Sequence, residues 1–259
     1  MIQSALDRLG EILAPARDKR IAMFLDYDGT LMPIVSDPED AWLSDSMWQT
    51  LREMAVRMPV AILSGRDLDD VRRRVDIAGI VYAGSHGFDI AGPHGLRRQM
   101  GSEFLPKLDT ANRELQEALD GIFGARVERK RFSIAAHYRN VKEENVPRVK
   151  QAVGEVAWRH PELRKMIGKK VHELQPDIDW DKGRALMWLL ETLGLEGGNV
   201  LPIYIGDDRT DEDAFRALAS RGIGILVSEE PRFTAASYSL RDPAEVERFL
   251  RALTAHWLI

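Results

Sequence analysis

The stretch Ile21-Ala22-Met23-Phe24-Leu25-Asp26-Tyr27-Asp28-Gly29-Thr30-Leu31 decides the fold prediction. Its five leading apolar residues predict a buried strand, and two carboxylates follow at the point where that strand ends. Similar apolar runs at 60–63, 200–205 and 223–227 also end in small or polar residues and alternate with helical patterns. We therefore predict an α/β protein with a parallel sheet and helices on both faces.

The helical patterns carry start signals and apolar faces. Residues 46–58 repeat Leu51, Met54 and Met58 on one face, which predicts a core helix. A helix is predicted to start at about Asp181, and Asp242-Pro243 fits the cap and first turn of another. Thr210, with Asp213 three residues later, is interpreted as a capping pair.

The pattern of helical and alternating segments changes between about residues 106 and 174. A helical stretch at 108–123 leads into an alternating segment at 127–139 and a second helical stretch at 146–158. This pattern predicts an inserted module with a small sheet and helices on one side. The predicted domains are a core in two parts, 1–105 and 175–259, and an inserted α+β cap at 106–174.

Carboxylates that follow two of the strands predict a metal site. Asp26 and Asp28 project to the same side of an extended backbone, and two charges about 4 Å apart repel by roughly 4 kcal/mol at an effective dielectric of 20. The segment 206–213 adds further acidic residues beyond another strand. A divalent cation would remove the repulsion, and oxygen ligands without histidine or cysteine favour Mg²⁺ over zinc.

Phosphate needs donors and positive charge, and two segments can supply them. Ser64-Gly65-Arg66 and Lys182 both precede predicted helices, where free backbone N–H groups favour anions. Each feature alone has a simpler interpretation: an Asp-Gly turn, a helix start, a surface lysine or helix-capping carboxylates. All of them in this order, each at a strand or helix end, indicate a phosphate-handling site.

Composition excludes several other classes of function. The 259 residues include no cysteine, which excludes disulfides and thiol catalysis, and a formal net charge of -5 argues against a nucleic-acid partner. No stretch approaches the roughly 20 apolar residues that span a bilayer. Residues 1–20 hold many charges and no apolar run of the kind found in signal peptides. We expect a cytoplasmic protein without nucleic-acid or membrane partners, and His94 and His160 are expected at the surface.

The ordered set of motifs resembles the haloacid dehalogenase superfamily of phosphotransferases over nearly the whole chain. The resemblance implies a Rossmann-like core with an inserted cap and Mg²⁺ as cofactor. It implies that Asp26 is the nucleophile and a metal ligand. Asp28 would be the general acid and base, and would bind the metal through its backbone carbonyl.

The same resemblance assigns the remaining core residues. Ser64 and Lys182 would hold the phosphoryl group, and Arg66 would contact the substrate. Asp207 would complete the magnesium site, supported by Asp208 or Asp211. These roles agree with the chemistry, because a carboxylate nucleophile divides a slow hydrolysis into two easier steps.

Further motifs resemble the trehalose-6-phosphate phosphatases within that superfamily. They are Gly84-Ser85-His86-Gly87, Glu128-Arg129-Lys130, His137-Tyr138-Arg139, His172-Glu173-Leu174, Trp180-Asp181-Lys182-Gly183 and the acidic segment from Gly206. The resemblance implies a sugar phosphate as substrate and a functional link to a trehalose-6-phosphate synthase. The substrate-binding candidates in these motifs are His86, Glu128, Lys130, His137, Arg139 and Glu173.

Alternation along the cap segment supports grouping these candidates only in part. Glu128 and Lys130 share one strand face, and His137 and Arg139 share another, so a turn or bulge is needed to bring both pairs to one sugar. The alternatives are a charged solvent face for the cap residues and a structural turn position for His86.

Three other functions compete with the trehalose 6-phosphate prediction. A related phosphatase acting on sucrose 6-phosphate or mannosylglycerate phosphate shares the core motifs, and a sugar phosphomutase is a further alternative. A noncatalytic binding module with this fold belongs to a different class. A binding module, however, has no need of both Asp26 and Asp28.

Overall fold

The computed structural model describes residues 2–14, 18–168 and 170–256. Two compact units are present, one formed by Met1–Arg98 with Trp180–Ile259 and the other by Gln99–Asp179. Each unit has its own apolar core. Among the described residues, no helix combines the length and apolar character needed to cross a membrane.

The strands and helices alternate along much of the chain. The strands are β1 Gln3–Ser4, β2 Arg20–Leu25, β3 Val60–Leu63, β4 Val81–Gly84, β5 Asp89–Ala91, β6 Arg97–Gln99, β7 Arg126–Lys130, β8 Ser133–His137, β9 Leu163–Gly168, β10 Val171–Pro176, β11 Val200–Gly206, β12 Ile223–Val227 and β13 Tyr238–Leu240. The helices are α1 Leu9–Leu13, α2 Asp45–Arg57, α3 Leu68–Val75, α4 Leu105–Leu119, α5 Val146–Arg159, α6 Lys182–Thr192, α7 Asp211–Leu218 and α8 Pro243–His256.

The first unit is built on a nine-stranded sheet in the order β1-β13-β12-β11-β2-β3-β4-β5-β6. Neighbouring strands from β1 to β4 in this order pair in parallel, and β5 pairs antiparallel with β4. The four strands predicted from apolar runs are β2, β3, β11 and β12, which occupy four of the central positions. The short strands β1, β4, β5, β6 and β13 were not predicted.

Helices cover both faces of this sheet, which confirms the predicted α/β architecture. On one face, Met23 of β2 belongs to a core shared with Met54 of α2 and Phe249 of α8. On the other face, the Tyr204 ring of β11 contacts Phe215 of α7 edge to face, with ring centroids 5.7 Å apart. Ile203, the neighbour of Tyr204 on β11, belongs to the first of these cores, so alternating residues of one central strand pack against different helices.

The second unit is a four-stranded antiparallel sheet in the order β7-β8-β10-β9. Apolar residues of α4 and α5, such as Leu115 and Val153, pack on one face of it against Ile134 and Leu174. This arrangement matches the predicted small sheet with helices on one side. The boundaries 106–174 of a substrate-reading cap stay a prediction, because a compact unit does not by itself show which of its residues read the substrate.

Predicted helix starts and surface positions had mixed outcomes. Asp242 accepts a hydrogen bond from the Glu245 backbone N–H (2.8 Å), and Asp181 likewise caps α6. The capping prediction for Thr210 was wrong, because its side chain makes no cap hydrogen bond. His160 is 8% exposed, since it packs beside Glu114, with 3.2 Å between His160 Nε2 and Glu114 Oε1, so its surface prediction was also wrong.

Candidate active site

Three adjacent strands deliver the predicted core residues to one edge of the sheet. β2 lies between β11 and β3, with Leu25 in register with Ile205 and Ile62. Asp26 follows β2 and its backbone N–H donates to the Ile205 carbonyl at 2.9 Å. Since Ser64 and Asp207 follow β3 and β11, residues distant in the chain meet at the carboxyl ends of neighbouring parallel strands.

Three carboxylates converge at this edge. Oxygen atoms of Asp26, Asp207 and Asp211 all lie within 4.8 Å of one another. Asp26 is 5% exposed and Asp211 is fully buried. Such a concentration of buried negative charge is costly unless cations compensate it.

Lys182 supplies one positive charge to this cluster. Its Nζ donates to Asp26 Oδ1 and to Asp211 Oδ1, each at 2.7 Å, and the lysine is 2% exposed. Burial by itself lowers the pKa of Lys182, but the two carboxylates outweigh burial and raise that pKa well above its ordinary value. The side chain is therefore a buried ammonium held between two aspartates.

One lysine leaves the three carboxylates undercompensated. Burial raises the pKa of Asp26 well above its ordinary value despite the opposing charge of Lys182, and Asp211 and Asp207 add to the increase. Burial, then Asp211 and Asp208, raise the pKa of Asp207 to about 7. An all-oxygen set of crowded carboxylates fits a hard divalent cation such as Mg²⁺.

Tyr204 and Asp208 differ from the sequence-based assignment of this cluster. Tyr204 was not predicted, yet its buried hydroxyl donates to Asp211 Oδ1 at 2.6 Å. Asp208 is exposed and contributes its backbone N–H, which donates to Asp211 Oδ2 at 2.8 Å. Of the two alternatives for supporting Asp207, the structure therefore brings the Asp211 carboxylate into the cluster and leaves the Asp208 carboxylate outside it.

Two glycines allow the carboxylates to approach the backbone closely. Gly29 has φ +83°, and a Cβ there would lie 2.2 Å from Asp207 Oδ2. A Cβ on Gly206 would lie 2.3 Å from Asp211 Cγ. Any larger residue at either position would displace an aspartate of the cluster.

Asp28 lies beside the cluster and is held by Arg66. Arg66 Nε donates to Asp28 Oδ2 at 2.8 Å, and the second pair, Nη2 and Oδ1, is 2.7 Å apart. The Asp28 side chain is 39% exposed, so solvent or a substrate can reach it. Arg66 was predicted to contact substrate, whereas here its fork holds the candidate general acid.

Ser64 and His86 lie beside each other at the carboxyl end of β3. Ser64 is fully buried and its Oγ accepts from the Arg66 backbone N–H at 3.1 Å. His86 adopts φ +58° and its backbone N–H donates to the Ser64 carbonyl at 2.8 Å. A Cβ on Gly65 would lie 2.7 Å from the His86 ring, so these residues form one tightly packed turn.

The cap candidates gather on the sheet face of the second unit that lies opposite its helices. Lys130 Nζ donates to Glu173 Oε1 at 2.6 Å, and His137 Nε2 lies 2.8 Å from Glu128 Oε2. The two-residue turn 131–132 reverses the chain, so Glu128 on β7 and His137 on β8 share a face. This turn is the feature that the alternation pattern required.

Arg139 and Glu173 differ in their exposure and in their position relative to the strands. Arg139 is exposed and lies two residues beyond β8, outside the strand that holds His137. Glu173 lies on β10 with only 9% exposure, and its register partner on β8 is Ala135. The small Ala135 leaves space above the sheet for the longer polar side chains on either side.

Proteins similar to this chain show the family to which it belongs. The trehalose-phosphatase family model matches residues 24–244. The chain belongs to the trehalose-phosphatase family. It is 48% identical to trehalose 6-phosphate phosphatase RA3 of Zea mays, an alignment that covers 96% of this chain and 74% of that protein. It is 49% identical to the probable trehalose-phosphate phosphatase 4 of Oryza sativa subsp. japonica, with coverage of 96% and 70%.

Solved structures of other proteins share this fold. A trehalose-6-phosphate phosphatase related protein superposes with a TM-score of 0.80 at 25% identity, covering 92% of this chain and 98% of that one. A haloacid dehalogenase-like hydrolase from Bacteroides thetaiotaomicron gives a TM-score of 0.66 at 16% identity, covering 91% and 99%. These matches confirm the predicted haloacid dehalogenase fold, and family membership confirms the predicted enzyme class of phosphoric monoester hydrolase.

Proposed function

We propose that this member of the trehalose-phosphatase family is a magnesium-dependent enzyme. It hydrolyses trehalose 6-phosphate to trehalose and inorganic phosphate through an aspartyl-phosphate on Asp26. The convergence of Asp26, Asp207 and Asp211 around Lys182 is the observation that carries this proposal. The names of the Zea mays and Oryza sativa relatives support the choice of substrate.

The carboxylate cluster fits the cation that the mechanism needs. Asp26, Asp207 and Asp211, with the backbone carbonyl of Asp28, would hold Mg²⁺, which supplies positive charge to the carboxylates and to the phosphoryl oxygens. Asp208 lies outside this set. Its backbone N–H instead fixes the Asp211 carboxylate.

Asp26 is the proposed nucleophile. One carboxylate oxygen attacks phosphorus in line, and the bond from phosphorus to the sugar oxygen breaks. Lys182 has three N–H donors, of which Asp26 and Asp211 accept two. The third can reach a phosphoryl oxygen, and the Ser64 hydroxyl, which accepts from Arg66, can donate its proton to another.

Asp28 is the proposed proton donor and acceptor. Its carboxyl passes a proton to the departing sugar oxygen, then takes one from the water that hydrolyses the aspartyl-phosphate. Phosphate leaves and Asp26 returns as a carboxylate. Such proton transfer contributes about 10²- to 10⁴-fold to the rate.

The polar face of the second unit is the proposed sugar-recognition surface. On that face Lys130 forms an ion pair with Glu173, and His137 Nε2 lies within hydrogen-bond distance of Glu128, with the exposed Arg139 beyond β8. In the first unit, His86 stays a separate proposed substrate contact. A sugar with many hydroxyls can bond to the polar groups on this face of the second unit. A site of this kind rejects analogues that lack the hydroxyls, because its polar groups then go unpaired.

Three further predictions accompany this proposal. Sucrose 6-phosphate and mannosylglycerate phosphate are the alternative substrates, and a functional link to a trehalose-6-phosphate synthase is the expected partnership. The cytoplasmic location also stays a prediction.

The test measures phosphate release from trehalose 6-phosphate, the two alternative substrates and glucose 6-phosphate, with Mg²⁺ and with a chelator. We expect release that requires Mg²⁺ and is at least about 10²-fold faster on trehalose 6-phosphate than on glucose 6-phosphate. Equal rates on these two esters would refute the substrate assignment. A higher rate on either alternative would reassign the substrate.

The same assay tests the nucleophile. Asp26→Asn should abolish turnover, since an amide oxygen is a poor nucleophile. Asp45→Asn makes the same chemical change at an exposed position in the first turn of α2 and should keep full activity. Retained turnover in Asp26→Asn would mean that a different residue attacks phosphorus.

A further inference from the structure

Arg66 links Asp28 to a second carboxylate that the proposed mechanism does not use. While Nε and Nη2 of Arg66 hold the two oxygens of Asp28, Nη1 donates to Asp70 Oδ2 at 2.9 Å. The Arg66 side chain is 12% exposed. One guanidinium therefore spans the distance between the candidate general acid and a residue on α3.

Asp70 is itself held by two more arginines. Arg74 Nε donates to both Asp70 oxygens at 2.9 Å, and Arg73 Nη2 donates to Oδ1 at 2.8 Å. Burial raises the pKa of Asp70, but the hydrogen bonds from Arg74, Arg66 and Arg73 outweigh burial and lower that pKa. Asp70 is therefore a fixed, ionised acceptor for Arg66.

Arg74 anchors this chain of ion pairs in the protein interior. Its side chain is only 1% exposed, and its Nη1 donates to the carbonyls of Glu39 and Ala41 at 3.1 Å. The Tyr27 hydroxyl donates to the same Ala41 carbonyl at 2.8 Å. The Arg74 anchor and the backbone just before Asp28 are thus tied to one segment.

Arg66 binds the Asp28 carboxyl group through two hydrogen bonds at once. A bidentate fork fixes both the position and the plane of a carboxylate, which a single hydrogen bond does not. The partly exposed Asp28 would otherwise sample several orientations around its side-chain bonds. Proton transfer requires one orientation, with an oxygen within hydrogen-bond distance of the leaving group.

We propose that Asp70 is a positioning residue that acts through Arg66. Asp70 fixes the Arg66 guanidinium, and the Arg66 fork holds the Asp28 carboxyl group where it can pass a proton to the leaving oxygen. The inference rests on the proposed role of Asp28. It gives Arg66 the role of orienting the general acid Asp28, instead of the predicted role of contacting the substrate.

The test compares kcat/KM for esters whose leaving groups differ in their need for a proton. kcat/KM reports the reaction up to phosphoryl transfer, before the shared hydrolysis of the aspartyl-phosphate. Trehalose 6-phosphate and phenyl phosphate release poor leaving groups that need protonation, whereas 2,4-dinitrophenyl phosphate releases a phenolate that does not. In Asp70→Asn we expect kcat/KM to fall about 10- to 100-fold on the first two esters and less than about 3-fold on the third.

The controls separate this effect from loss of structure. Asp69→Asn removes the same charge from the same turn of α3 at an exposed position, and all three kcat/KM values should stay at the wild-type level. Arg66→Lys keeps the positive charge but cannot form the fork, so it should show the same selective loss. If Asp70→Asn does not fold, Arg66→Lys decides the outcome.

Each outcome either supports or overturns the inference. Equal losses on all three esters, or no loss on any, would overturn it, because a merely structural role does not depend on the leaving group. If the wild-type enzyme cleaves the aryl esters but not trehalose 6-phosphate, the substrate proposal fails while the two aryl esters still test Asp70. If the wild-type enzyme cleaves none of the three, both fail.

Discussion

At the scale of single residues, His172 shows how burial sets a pH dependence. It is 3% exposed and stacks on Tyr138 with ring centroids 5.1 Å apart. Neither of its ring nitrogens has a hydrogen-bond partner among the residues that the structure describes. Burial, then the charges of Lys165 and Lys150, lower the pKa of His172 below 6.5.

We predict that acid destabilises the protein through His172. Below about pH 6.5 the unfolded chain binds a proton at this histidine that the folded protein does not, so the free energy of unfolding falls as the pH is lowered. His172→Phe keeps a stacked ring and removes this loss. Urea unfolding at about pH 7.5 and about pH 5 measures the difference.

His94→Asn is the matched control for this prediction. His94 is exposed with φ +56°, a conformation that asparagine tolerates. The control should keep the wild-type pH dependence. A His172→Phe protein that loses as much stability in acid as the wild type would contradict the explanation.

At the scale of secondary structure, the start of α6 determines where Lys182 lies. Asp181 accepts a hydrogen bond from the Arg184 backbone N–H at 2.8 Å and so caps the helix whose first residue is Lys182. α2 has a cap of the same kind, in which Ser44 accepts from the Met47 N–H at 3.1 Å. Only the α6 cap lies next to a candidate catalytic residue.

We predict that loss of either cap lowers the stability of the protein by the same amount, whereas only loss of the α6 cap lowers its activity. Asp181→Ala and Ser44→Ala should each lower the free energy of unfolding by about 1 kcal/mol. Only Asp181→Ala should lower kcat, because fraying of the first turn displaces the Lys182 ammonium from Asp26. Thermal melting and phosphate release measure both effects, and an equal decrease in kcat for the two variants would contradict the prediction.

At the scale of the whole molecule, the chain folds into two units with separate cores. The crowded carboxylates at the edge of the nine-stranded sheet oppose folding of the first unit, since their repulsion is absent when the chain is unfolded. A cation bound there should therefore stabilise the folded state.

We predict that Mg²⁺ raises the melting temperature by about 5 to 10 °C at saturating concentration. A chelator should reverse the increase, and Asp207→Asn should remove most of it. Asp208→Asn should retain it, because the Asp208 carboxylate lies outside the cluster. Calorimetry measures the shift, and loss of the effect in both variants would contradict the assignment of ligands.

Local sequence signals account for much of the fold and part of the site. Continuous apolar runs mark β2, β3, β11 and β12, because central parallel strands are buried on both faces. The strand β10 was not predicted, since Val171-His172-Glu173-Leu174 lacks clean alternation and its pairing with β8 and β9 is set by distant residues. Tyr204 gave no signal as a site residue, because it lies inside an apolar strand and only its hydroxyl reaches Asp211.

By itself the sequence determined the α/β class, the main strands, the inserted module and most of the candidate polar residues, because these depend on local periodicity and on residue type. The tertiary structure alone decided that Lys182 bridges Asp26 and Asp211, that Asp208 stays outside the cluster, and that Arg66 connects Asp28 to Asp70. The physical reason is that hydrogen bonds and charge compensation depend on distances of a few Å between residues far apart in the chain, and no local pattern encodes those distances.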